Sequence, residues 1–457
     1  MRRFWGLLVN EHIKVLLKTS TIIMLILVAL AAVGLNGLLY FSERQYLSQQ
    51  QEDMAVEEED KSGDPYKDQI NYLQTDRPEG WETELEKVKY LQSSSIPFED
   101  WRTQAVDDLY AAREEEDDVR AAQLEQFVTT NNFKGYMELK IADVKADETL
   151  SDPEREANLY ALNFRRDNGI YSLDDWRMAA LDRYISGAQT VAKYEKSAPT
   201  DKESKDELKT AREDMAVSKY RLENDIERSI GINASRDGRY DYWSVFRQSS
   251  SVLSFISVLI IVIAGSSIAG EFSQGTVKFL LINPIKRWKI FSAKYISVLT
   301  SSVIMVALFY VVNAICAGLF FGFGDLGLPY LAVSGDTVTE MSGFLYVGGL
   351  YLAGMVQMIV IGTMAFMLSS LVRSAALSIG IGVFALLGGG TVMAVLASMG
   401  MDWARYILFA NIDLISIAEG NTMFPNQSLT FAIVVIAVYM VVFLLTAYDA
   451  FTRRDVK

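Results

Sequence analysis

The chain has 457 residues, 50% of them apolar and 22% charged, and its mean hydropathy is positive; it is too apolar for a disordered chain and too charged for one wholly embedded in a membrane. The net charge of −14 is uneven: residues 41–243 hold 47 acidic and 28 basic groups, a net of −19, while the other 254 hold 10 and 15, a net of +5. One Cys and one His exclude an intrachain disulfide and a zinc site built from His and Cys, and any triad with a His base depends on His12 alone.

The N-terminal arm, 1–18, carries Arg2, Arg3, Lys14 and Lys18. A charge-free window follows at 19–42, and five more lie at 248–270, 295–324, 341–372, 374–401 and 420–448. A bilayer-spanning helix needs about 20 apolar residues, so each window predicts a span. Ala29-Leu30-Ala31 has the form of a signal-peptidase site. The apolar run continues to Phe41, longer than a usual signal core, and favours a retained first span.

Between the first and second spans the composition is rich in Glu, Lys, Gln and Ala, which favours helix. Four to six helices and little sheet are expected. Ser172 is read as the N-cap of one, with Asp175 three residues on, and 203–230 as a long charged helix. Asp100-Trp101-Arg102 recurs as Asp175-Trp176-Arg177, each followed by Ala and Asp at matching positions. Two readings fit this 75-residue offset: an internal duplication, or two Asp-capped helices whose first-turn Trp packs inward. The acidic runs Glu57–Asp60 and Glu114–Asp118 lack the alternating ligands and turn Gly of a calcium loop and read as solvated faces.

Lys and Arg placement orients the spans. Lys278, Lys286, Arg287, Lys289 and Lys294 follow the second span, Arg373 follows the fourth, and Arg453, Arg454 and Lys457 end the chain. Residues 325–340 hold no basic group, and 402–419 hold only Arg405. Both termini are therefore expected in the cytoplasm and residues 43–244 outside. The predicted fold class is an all-α membrane protein, with six transmembrane helices and a mostly helical extracellular domain between helices 1 and 2. Its parts are 1–18, the span 19–42, the domain 43–244, and a bundle over 245–457 with a cytoplasmic loop at 270–294.

No window holds an ionisable acid or base, which disfavours ion-coupled transport and hydrolysis inside the membrane. Asn313 and Gln357 are the polar exceptions considered, with two readings: hydrogen bonds between helices, or the wall of a translocation path. In the loop, Thr276–Ile282 reads as a short amphipathic helix broken by Pro284, and Lys286–Lys294 as a second short basic helix. A helix pinned between two spans suits docking of a partner, or a membrane-surface elbow held by anionic lipid.

The order Glu271, Gly275-Thr276, Leu280-Leu281, Pro284, Arg287, Lys294 resembles the first cytoplasmic loop of ABC-2 type transporter permeases. Asn10-Glu11-His12-Ile13-Lys14 resembles the family's N-terminal amphipathic helix. Leu368 to Ser374 resembles its helix 4–5 turn, and Phe451 to Asp455 its tail. The resemblance covers about 1–40 and 245–457. It implies the membrane subunit of an exporter, whose loop docks into a separate ATP-binding subunit. Glu271, Gly275, Thr276, Lys278 and Pro284 would shape the coupling element, Arg287 and Lys294 would anchor its return, and Glu11 and Lys14 would also touch the ATPase. A second permease chain would complete the unit in a bacterial plasma membrane.

No cofactor, metal, catalytic residue or nucleic acid is expected on this chain, since ATP and Mg would be held by the partner. Gly270-x4-Gly275 has P-loop glycine spacing but continues Thr276-Val277, without the phosphate-binding Lys. The rival reading is a membrane-anchored extracellular binding or sensory protein. A membrane hydrolase and a passive channel fit less well.

Overall fold

The computed structural model describes residues 2–59, 64–231, 240–275, 286–335, 337–372, 374–418 and 420–453. The order begins with α1 (Arg2–Leu16) and α2 (Thr19–Glu59). Eight shorter helices follow: α3 (Pro65–Asp76), α4 (Trp81–Ser93), α5 (Arg102–Glu114), α6 (Asp118–Thr129), α7 (Phe133–Ala146), α8 (Asp152–Asp167), α9 (Trp176–Lys196) and α10 (Lys202–Glu223). Then come α11 (Tyr242–Gln248), α12 (Leu253–Ser267), α13 (Ala269–Ser273) and α14 (Arg287–Phe321). A hairpin of β1 (Pro329–Ser334) and β2 (Thr337–Ser342) precedes α15 (Gly343–Val372), α16 (Ala375–Ser398), α17 (Leu414–Ala418) and α18 (Leu429–Arg453).

Among the described residues, six helical stretches are long and apolar enough to cross a membrane: Thr19–Gln50, Tyr242–Ser267, Arg287–Phe321, Gly343–Val372, Ala375–Ser398 and Leu429–Arg453. They match the six predicted windows, and the chain is a membrane protein with transmembrane helices. Charge alone does not end these helices. α2 runs on through Glu43 and Arg44 to Glu59, and α14 begins eight residues before its charge-free window. Lys286–Lys294 is therefore not a separate short helix. No Gly or Pro occurs between Arg287 and Ala317, so the basic segment forms the first turns of α14.

The chain divides into two compact units. One comprises 1–43, 230–330 and 341–457, and the other 44–229 and 331–340. The first unit reaches further back than the expected boundary at 244, because Ile230, Tyr242, Trp243 and Phe246 are buried in its core. Leu253 to Ile268 lies at the centre of that core, with Ile256, Ile260, Ile261 and Ala264 all buried. Close helix approach needs small residues in the facing helix. Gly354 of α15 is such a position, since a Cβ there would come within 2.5 Å of Leu253 Cδ1.

The second unit contains eight helices, α3 to α10, beyond the four to six expected. Six of the eight begin on a short polar side chain: Asp64, Asp117, Asn132, Asp175 and Asp201 each accept a hydrogen bond from a first-turn N–H, and Ser151 forms a capping box with Glu154. Asp175, not Ser172, caps α9, because Asp175 Oδ1 accepts from Arg177 N at 2.9 Å. The charged helix expected over 203–230 ends at Glu223; Asp225 adopts φ +52° and Ile226 N donates back to Arg221 O.

The repeated tripeptide sits in one backbone design used twice. Helix α4 ends with Ser95 at φ +52°, and Ile96 N donates to Leu91 O at 3.2 Å. Helix α8 ends with Gly169 at φ +60°, and Ile170 N donates to Arg165 O at 3.0 Å. Both Ile side chains are buried. Asp100 and Asp175 then accept from the N–H and the guanidinium of Arg102 and Arg177. The second copy has one extra residue between Ile and Asp. The two segments also pair with each other: Trp101 N donates to Tyr171 O at 2.9 Å, and Leu173 N to Glu99 O at 2.6 Å.

The hydrogen-bonded Arg177 guanidinium holds the Asp175 carboxyl below its ordinary value of 3.8. A lowered folded value means that the unfolded chain takes up the proton first. The contribution of Asp175 is then complete above 3.8 and lost as pH falls through the folded value. Asp182 carries the opposite sign, because burial raises it. An acid titration of unfolding should therefore be shallower below about pH 4 in Asp175→Asn, which keeps a capping oxygen and removes the charge, than in the parent; an unchanged profile would contradict the pairing of Asp175 with Arg177.

Candidate functional site

The site is built where α1, the end of α12–α13 and the start of α14 meet. Helix α1 is amphipathic. Trp5, Val9, Ile13 and Leu17 recur every four residues at its side and just past its end, and all are exposed. Glu11 lies on the opposite face and is 3% exposed. α1 docks beside α14 through side chains spread along its length. Phe4 stacks on Trp288, His12 Nε2 hydrogen-bonds Thr300 Oγ1 at 2.9 Å, and Glu11 meets Lys294.

Lys294 is 5% exposed, near the start of a membrane span. An ammonium removed from water requires paired charges and hydrogen bonds. Its Nζ lies 3.1 Å from Glu11 Oε2 and 3.2 Å from Glu271 Oε1. Lys14, on the exposed side, stands 3.7 Å from the other Glu11 oxygen. One buried cation thus ties together three elements, and its partners lie 283 and 23 residues away.

Glu271 sits on α13, a five-residue helix set off from α12 by a break at Ile268. A helix break buried in a membrane protein leaves N–H groups that need partners. Ser369 of α15 supplies one oxygen for two of them, accepting from Ile268 N at 3.1 Å and Ala269 N at 2.8 Å. Gly275, at φ +70°, closes the segment, and its N–H donates to Phe272 O. That conformation favours Gly over any residue with a Cβ. Arg287 Nη1 donates to Thr452 O at 3.0 Å, joining the start of α14 to the end of α18. A cation at a helix C-terminus also suits the orphan carbonyls there.

The structure thus brings Glu11, Glu271 and Lys294 into direct contact, with Lys14 beside them, and places Arg287 on a different helix end. Thr276, Lys278 and Pro284, with the amphipathic helix expected over Thr276–Ile282, lie outside the described residues. Ser369 and His12 were not singled out by the sequence as partners. A lone His or Ser carries no signal for a contact made across the fold.

Asn313 and Gln357 do not hydrogen-bond each other. Asn313 is fully buried; it accepts from Asn36 Nδ2 and donates to Tyr351 OH at 2.6 Å, linking α2, α14 and α15. Gln357 accepts from Ser254 Oγ at 3.4 Å. Asn36 was missed, although a lone amide within an apolar run must find a partner. Asn313→Leu should cost about 1–3 kcal/mol of stability by stranding Asn36 and Tyr351. Asn36→Leu/Asn313→Leu should recover part of that loss. Denaturant midpoints of the detergent-solubilised variants check both. Among the described residues, no cluster of three or more His, Cys, Asp or Glu is placed to hold a metal ion.

Residues 228–457 match a protein family described as protein of unknown function (DUF2705). The uncharacterized protein YhcI of Bacillus subtilis (strain 168) is 32% identical over 267 residues, covering 58% of this chain and 82% of that relative. The uncharacterized membrane protein YdbK of the same organism is 28% identical over 246 residues, 53% of this chain and 94% of its own length.

Proposed function

We propose that this chain, which belongs to the DUF2705 family, is the membrane-spanning permease subunit of an ATP-binding cassette exporter. Substrate crosses the plasma membrane at the expense of ATP hydrolysed by separate subunits, and two permease chains pair to give two docking loops for two ATPases. Both termini are cytoplasmic and residues 43–244 are extracellular, as the Lys and Arg distribution favours.

The observation that carries this reading is the buried Glu11–Lys294–Glu271 network. It fixes the N-terminal helix, the exit of the second span and the entry of the third around the segment that resembles the family's coupling loop. A force applied between Gly275 and Lys286 would reach all three elements through one ion cluster. Ser369 extends the connection to the fourth span. Asn313 and Gln357 act in this reading as ties between helices.

A photo-cross-linking residue in place of Lys278, introduced in the native host, tests the docking directly. The reading expects an adduct with a P-loop ATPase that has no membrane spans. Adducts with lipid alone, or none, would contradict it.

A further inference from the structure

We infer that the cavity beside this ion network is a binding site for the phosphate headgroup of an anionic phospholipid. The cavity measures about 430 Å³ and lies between α1, the first turn of α2 and the α12–α13 break. That volume is within the range of small-molecule sites.

Its wall is divided by chemistry. Val15, Met24 and Val262 give the lining an apolar part. Lys14 and Lys18 also line it, and Lys18 directly precedes the first residue of a membrane span. This is the depth at which lipid phosphates attract Lys and Arg. Lys18 has no ion-pair partner among the described residues. Thr21 is 2% exposed and lines the cavity, yet its hydroxyl makes no hydrogen bond to any described residue. Ser20 and Ser267, both half-buried, also line it without a hydrogen bond to any described residue.

Hydroxyls that line a cavity and make no bond within the protein are free to bond whatever occupies it. Lys18, the half-engaged Lys14, three hydroxyls without a described partner and the apolar side chains of the lining together fit a phosphate ester with the start of an acyl chain. The carboxylates of Glu11 and Glu271 also line the cavity; Lys294 engages both, and Lys14 stands 3.7 Å from the other Glu11 oxygen, which leaves Lys18 as the cation with no carboxylate partner among the described residues. An occupant would therefore touch the α13 segment, where Gly270, Glu271 and Ser273 line the cavity.

This inference does not depend on an ATPase partner, and its test uses none. The purified full-length chain is titrated with phosphatidylglycerol, phosphatidylcholine and inorganic phosphate, and bound species are counted by native mass spectrometry. The expected result is retention of phosphatidylglycerol about tenfold above phosphatidylcholine. Lys14→Gln/Lys18→Gln should abolish the preference, and Lys289→Gln should keep it. Gly270→Met supplies a variant that leaves every charge in place. A Cβ at Gly270 meets only Ser266 Cβ, at 3.9 Å, so the side chain fills the cavity without strain. It too should lose the lipid. Equal retention of both lipids, or an equal loss in Lys289→Gln, would overturn the proposal in favour of diffuse surface attraction. Inorganic phosphate bound in place of lipid would keep the phosphate site and overturn the lipid as its source.

Discussion

Lys294→Met is expected to lower the stability of the membrane unit by about 3–5 kcal/mol, the usual cost of removing one partner from a buried ion pair. Met preserves most of the aliphatic stem, so the loss isolates the charge. Glu11, 3% exposed, would be left beside Glu271 with only the more distant Lys14 to balance it. The neutral set Glu11→Gln/Lys294→Met/Glu271→Gln should recover most of the loss, because a buried ion network replaced by uncharged groups is often neutral. Denaturant midpoints in detergent read both. A Lys294→Met midpoint equal to the parent's would show that the network does not hold the three elements together. If the network couples the loop to the spans, the neutral set should be stable and inactive.

Ser369→Ala is expected to cost about 2–4 kcal/mol, because it strands two buried N–H groups at once. Ile268 and Ala269 are 2% and 0% exposed, so water does not replace the lost acceptor. The effect should be local: amide exchange at 268 and 269 accelerates while exchange in α18 stays slow. Ser369→Thr keeps the oxygen and should behave close to the parent. Unchanged exchange at both amides in Ser369→Ala would remove the hydroxyl from any role in holding the break.

The six spans were legible because charge-free runs of this length have few other uses. Their ends were not, since α2 and α14 carry helix into charged sequence. The second unit was read with too few helices for a definite reason. The connections between its helices use Arg77, Ser95, Glu116, Asn131 and Asp225 at positive φ, against Gly80 and Gly169, the residue type that usually signals such a turn. The Asp-Trp-Arg pair was visible as a spacing. That the two copies hydrogen-bond to each other required the fold.

At the candidate site, Glu11, Glu271 and Lys294 were each named from the resemblance, as parts of a loop and an arm. Nothing in the sequence paired residues 11 and 294, because a buried cation shows its partners only when the chain has closed around it. Ser369 was hidden for the same reason. Serine is common in membrane helices, and the break it caps carries no Pro.

Affinity purification of the chain from its native membranes in mild detergent tests the central claim most directly. The account predicts a P-loop ATPase at about equal amount, lost when Glu271→Ala or Gly275→Pro is purified the same way. A chain that emerges alone, or with extracellular partners only, would contradict the exporter reading and bring the membrane-anchored binding protein forward.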